Sequence, residues 1–136
     1  MRLRLPADVS LEYIMELALE TSKRWAQEGT VPAQLLLCVK KNGERKLVVY
    51  PLGVEGGVRN EQSRERIRSL AQAAKAEFVV VTEEETQSTA EGEKGLVLVH
   101  GESNTRALRL TCRYKRSSHN TKFGRPRWKQ APKLFL

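Results

Sequence analysis

The chain has 136 residues, a length at which one domain around one core is the common arrangement, and its 40% hydrophobic and 29% charged residues argue against wholesale disorder. No apolar run reaches the roughly 18 residues of a membrane helix, and the opening Met1-Arg2-Leu3-Arg4-Leu5-Pro6 lacks the apolar stretch of a secretory leader, so the expectation is a cytoplasmic protein off the membrane. The net charge of +8 is concentrated at one end: the first 112 residues carry 16 cations and 16 acids, the last 24 carry eight cations and no acid.

Leu3 and Leu5 alternate with Arg2 and Arg4, which fits a short edge strand or an arm. A helix starts at Asp8 or Ser10, with Leu11, Ile14, Ala18 and Trp25 on one face, Glu20 four residues before Arg24, and Gly29 as its stop. Pro32 forbids continuation, and Gln34 to Lys40 reads as a strand. Asn42-Gly43 predicts a type I′ hairpin turn. With Lys41 facing Glu44, Cys38 pairs with Leu47 and Leu36 with Val49 on one face, and Leu37 with Val48 and Leu35 with Tyr50 on the other. Both faces are apolar, so the hairpin needs cover on both sides.

Asn60 or Ser63 caps a second helix, in which Ile67, Leu70, Ala71 and Ala74 recur at helical spacing. Phe78 to Val81 is a buried strand. Glu83 to Gly95 has no apolar period and reads as a mobile acidic loop, placed to fold back on the basic end. Leu96 to Val99 is the next strand. In the last, Leu108, Leu110, Cys112 and Tyr114 point inward and Arg109, Thr111, Arg113 and Lys115 outward.

The order predicts an α+β fold: a single domain over residues 1–116, mainly an antiparallel sheet of about five strands with two helices packed on it. A basic tail, 117–136, follows. It has room for a strand around Thr121 to Phe123 before Gly124-Arg125-Pro126-Arg127 interrupts any regular element.

Familiar chemistries lack their residues. Two cysteines, Cys38 and Cys112, build no disulfide framework, and His100 and His119 do not complete an ordinary zinc site; no metal and no cofactor are expected. Both cysteines lie in apolar strand patterns, where a thiol is inert. Neither Gly53 to Gly57 nor Gly92 to Gly95 matches a P-loop, though Val54 to Arg59 precedes a helix and can cradle an anion. Glu44-Arg45-Lys46 supplies the Glu-x-Lys string of restriction-type, metal-dependent nucleases, but the partner acid is missing, since Asp8 is the only aspartate. The chain is therefore read as a non-enzyme.

Gln34 to Leu52 with its Asn42-Gly43 hairpin, Ile67 to Val81, and Leu96 to Tyr114 ending in Tyr114-Lys115-Arg116 resemble blocks of small α+β proteins of bacteria and their phages. That group has no assigned function, so the resemblance implies a fold and no catalytic residue. The basic tail departs from it.

The functional candidates come from the charge. Arg109, Arg113, Lys115, Arg116, Lys122, Arg125, Arg127 and Lys129 are candidates for phosphates, with Phe123 and Trp128 as stacking groups, which implies low-specificity binding of DNA or RNA. Two other readings stand beside it. A basic terminus also confers solubility, with Phe123 and Trp128 as core residues of one more strand. The same tail also suits an acidic protein partner, or the sheet edge self-association into a homodimer.

Overall fold

The computed structural model describes residues 2–6, 8–53, 57–90, 92–117 and 120–136. Its elements are β1 (Arg2–Arg4), α1 (Leu11–Glu28), β2 (Gln34–Lys41), β3 (Glu44–Pro51), α2 (Glu61–Ala74), β4 (Phe78–Thr89), β5 (Gly92–Glu102), β6 (Ala107–Arg116), β7 (Thr121–Phe123) and β8 (Arg127–Gln130). Both helices begin where a side-chain oxygen takes up a free N–H: Ser10 accepts from Tyr13 and Asn60 from Ser63. α1 stops at Gly29 (φ 122°).

All strand pairs are antiparallel, in the order β1-β3-β2-β4-β5-β6-β7, with β8 also pairing β6. The β2–β3 register is the expected one, from Lys41 opposite Glu44 to Leu35 opposite Tyr50. Asn42 (φ 53°) and Gly43 (φ 80°) take the left-handed backbone that a type I′ turn needs. The sheet is larger than the expected five strands because the short β1, β7 and β8 extend its edges.

Side chains alternate across the sheet, and each face has its own core. α1 covers one face, where Leu11, Ile14, Met15, Ala18 and Leu19 pack on Leu36, Cys38, Val80, Val97, Val99, Leu110 and Cys112. α2 covers part of the other, where Ile67 and Ala71 join Leu35, Leu37, Val79, Val81 and Leu98. The two-sided hairpin thus has a helix on each side, giving three layers.

Two sequence expectations are corrected. Trp25 is 40% exposed. The buried stripe of α1 runs through Leu19, Ser22 and Ala26 instead, small residues at its end that leave Trp25 on the flank. Glu83 to Gly95 is not a loop: β4 continues to Thr89 and pairs with β5 from Gly92. The acids there are held by remote partners. Glu84 accepts from the Tyr114 hydroxyl and the Val31 N–H, Glu93 pairs with Arg116, and Glu85 pairs with Arg59. Of the basic end, Arg116 is met by two of these acids, Glu93 (2.7 Å) and Glu84 (3.9 Å).

The last residues return to the α2 face. Phe135 is buried there, and Glu102, fully buried on β5, accepts the backbone N–H groups of Leu134 (2.6 Å), Phe135 (2.9 Å) and Leu136 (3.1 Å). Among the described residues no helix is long and apolar enough to cross a membrane.

Candidate functional site

β7 and β8 run in the same direction along the outer edge of β6, as one edge strand broken at residues 124–126. Tyr114 pairs with Phe123 and Lys115 with Lys122, but past the break Thr111 pairs with Arg127 and Arg109 with Lys129. Continuing the first register would set residue 128 opposite Arg109, so the break inserts one extra residue, a bulge. Pro126 is tolerated there because an edge strand does not need every N–H.

That extra residue decides which way the cations face. Cross-strand partners project from the same side of a sheet. An unbroken strand would put Lys122 on one face and Arg127 and Lys129 on the other. With the bulge all three share the α2 face with Arg109, Arg113 and Lys115 of β6 and with Lys94 of β5, which is opposite Lys115.

Lys94, Lys115 and Lys122 form a row of like charges across three strands, and like charges placed directly opposite are destabilising. Lys94, Arg113, Lys115, Lys122, Arg125, Arg127 and Lys129 are all exposed, and among the described residues none has an ion-pair partner. Lys94, Arg113, Lys115 and Lys122 line an open groove of about 820 Å³ together with Glu85, Gln87 and Leu96. Among the described residues that line it the one acid is Glu85, which is paired with Arg59.

The other expected residues are placed differently. Arg109 is half-buried, and its Nε donates to His100 Nδ1 (3.4 Å). Arg116 lies on the α1 side with a structural task. Its guanidinium donates to the Ala26 carbonyl near the end of α1, pairs with Glu93 (2.7 Å) and lies over the Tyr114 ring. The Ala26 carbonyl, which also accepts from the Gly29 N–H (3.3 Å), thereby gains a charged donor at the C-terminal end of the helix, where cations are favoured. Phe123 is also on the α1 side, half-buried against Tyr114 and beneath the Lys23 ammonium, where its ring packs on the core. Trp128 is 42% exposed but points to the α1 side, away from the cations. Lys94 was hidden in the sequence, because only the β5–β6 register brings it beside Lys115.

The strand pleat also bears on the thiol chemistry. Cys38 and Cys112 belong to the α1-side core and His100 to the opposite face, so neither thiol pairs with that imidazole. Burial, the largest influence, pushes the Cys38 thiol up to about 11 and raises Cys112 as well. His119 lies outside the described residues.

The expected anion cradle between β3 and α2 lies in part outside the described residues, over 54–56. Its described end holds the protein's own Glu83. The Val58 N–H donates to that carboxylate, and a side chain at Gly57 (φ 134°) would collide with it. Glu83 is more than nine-tenths buried. Burial pushes its carboxyl above the ordinary 4.5, against the opposing influence of Arg59, the Val58 N–H, Arg109 and His100. Between the ordinary and the raised value, the native state holds a proton that the unfolded chain has released. This group's stabilising contribution is present below the ordinary value and is lost as pH rises through the raised one. Glu83→Gln is expected to remove that pH slope and to be at least as stable as the natural chain near neutrality, read from Tm by circular dichroism at about pH 5 and about pH 7. Equal destabilisation at both pH values would contradict this assignment.

No family model, no curated protein and no solved structure matches the chain. The functional reading therefore rests on the chain's own geometry.

Proposed function

We propose that this protein binds nucleic acid with little sequence preference through the cationic α2-side face of β5 to β8, and catalyses no reaction on it. One observation carries the reading: six cations from four strands, Lys94, Arg113, Lys115, Lys122, Arg127 and Lys129, share one face, exposed and without ion-pair partners among the described residues. Each cation placed against a phosphate releases condensed counterions, and a bound polyanion relieves the repulsion within the lysine row. Arg125, in the bulge, adds to the same edge.

The test is equilibrium binding of labelled oligonucleotides across a salt series, comparing the natural chain with a variant in which Lys94, Arg113, Lys115 and Lys122 are all glutamine. All four are exposed, so the fold is expected to persist, checked by circular dichroism. The natural chain is expected to bind at micromolar or tighter affinity near physiological salt. The variant is expected to lose at least about tenfold and to flatten the log K against log salt slope by roughly 0.7 to 0.9 per cation removed. Unchanged affinity and slope would remove the face from the site. Recovery of a nuclease-resistant acidic protein partner, with no oligonucleotide bound, would favour an interaction module instead.

A further inference from the structure

We infer that the cationic face takes the sugar–phosphate backbone of a nucleic-acid duplex and offers a single strand no stacking platform; this rests on the reading of the face as a nucleic-acid surface. Proteins that hold single strands without sequence preference combine a cationic groove with aromatic side chains on which successive bases stack. Here strand parity separates the two. The exposed large aromatics are Tyr13 and Trp25 on α1 and Trp128 on the α1 side of β8. Phe123, next to Lys122 in sequence, is turned to the α1 side and packed on Tyr114. Tyr114 and Phe123 also border the groove, but Tyr114 is buried and Phe123 half-buried, so among the described residues the cationic face has no exposed ring.

A single strand laid on this face would be gripped by its phosphates alone, with its bases left in water. A duplex keeps its bases in their own stack and presents a denser charge, one per about 1.7 Å of helix axis. The cations also form an array in two directions. Lys94, Lys115 and Lys122 step across strands by about 4.8 Å, while Arg113 and Lys115 step along β6 by about 6.8 Å. Such an array matches phosphates held on a broad rigid surface better than a single file of nucleotides drawn along a cleft.

The test measures a duplex and a single strand of equal length and matched composition at several salt concentrations. It uses three proteins: the natural chain, the fourfold glutamine variant and Trp128→Ala. The duplex is expected to bind at least about tenfold more tightly, with a salt slope near 0.9 per phosphate engaged. The fourfold variant is expected to lose that binding, and Trp128→Ala to keep it. A single strand bound as tightly as the duplex, or weakened by Trp128→Ala, with binding still lost in the fourfold variant, would overturn this inference and leave the face as a nucleic-acid surface. Absence of binding to both, or binding indifferent to the fourfold substitution, would bring down the underlying reading and this inference with it.

Discussion

Glu102→Ala is expected to destabilise the protein by about 3 to 5 kcal/mol, the range for removing one partner from a buried, hydrogen-bonded charge site. The carboxylate is fully buried and accepts four hydrogen bonds, from His100 Nε2 (2.7 Å) and from three consecutive backbone N–H groups at Leu134, Phe135 and Leu136. His100 turns Nε2 to the Glu102 carboxylate (2.7 Å), and its Nδ1 faces the Arg109 Nε–H (3.4 Å). Alanine strands the imidazole N–H and removes the acceptor that these three backbone N–H groups share. Arg68, whose Nε donates to the Leu134 carbonyl (2.8 Å), and the edge contact of Phe135 on His100 (5.6 Å) remain to hold the segment. The first visible consequence is expected at the C-terminus: the amides of residues 134–136 should lose hydrogen-exchange protection before the sheet does.

The same carboxylate predicts an acid response opposite in sign to that of Glu83. Burial, the largest influence on Glu102, would raise its affinity for a proton. The His100 bond and the three backbone N–H bonds together outweigh burial and hold it below the ordinary 4.5. Its stabilisation is therefore present above the ordinary carboxylate value and is lost as pH falls through the lowered one. Acid titration should release the C-terminal segment in that window, and Glu102→Ala should abolish the step. Retained protection of residues 134–136 in Glu102→Ala would show that Phe135 and Arg68 alone hold the segment.

Gly95→Ala is the second large effect, expected at about 2 to 4 kcal/mol from overpacking and a lost hydrogen bond to a charged group. Gly95 is directly opposite Tyr114, whose ring lies across the glycine: a Cβ there would run into ring carbon Cζ and the hydroxyl oxygen. The ring has nowhere to retreat. Its hydroxyl donates to Glu84, Arg116 lies over its face (5.2 Å) and Phe123 packs beside it (5.9 Å). The methyl must displace the ring or part β5 from β6, and either change disturbs the groove that Lys94, Arg113 and Lys122 line. A double-mutant cycle with Tyr114→Ala separates the clash from a backbone effect. Removal of the ring is expected to make Gly95→Ala nearly neutral, with a coupling of about 1 to 3 kcal/mol. Strict additivity in chemical denaturation would place the cost in the glycine backbone instead.

The parts legible in the sequence are those whose cause lies within a few residues. Asn42-Gly43 set a turn and hence the register of a whole hairpin, and Ser10, Gly29 and Asn60 marked helix ends through local caps. The β6 alternation could be read because its inward positions, Leu110, Cys112 and Tyr114, are apolar at a period of two. The acidic stretch was misread for the complementary reason. Glu84, Glu85 and Glu93 look solvated in isolation, and they become strand residues only because Tyr114, Arg59 and Arg116 arrive from elsewhere in the chain.

By itself the sequence determined an α+β chain, a two-sided central hairpin and a surplus of cations at one end, since composition and local periodicity depend on no distant contact. Which of those cations share one face was decided only in the tertiary structure. One extra residue at the 124–126 break reverses the parity of the edge strand, turning Arg127 and Lys129 to the side of Lys122 and leaving Trp128 on the other. Pairing with β5 adds Lys94, while the end of α1 withdraws Arg116. The physical reason is that a strand's side chains alternate with a period of two, so a single inserted residue moves every later side chain to the opposite face, and only the partner strand reveals where the insertion lies.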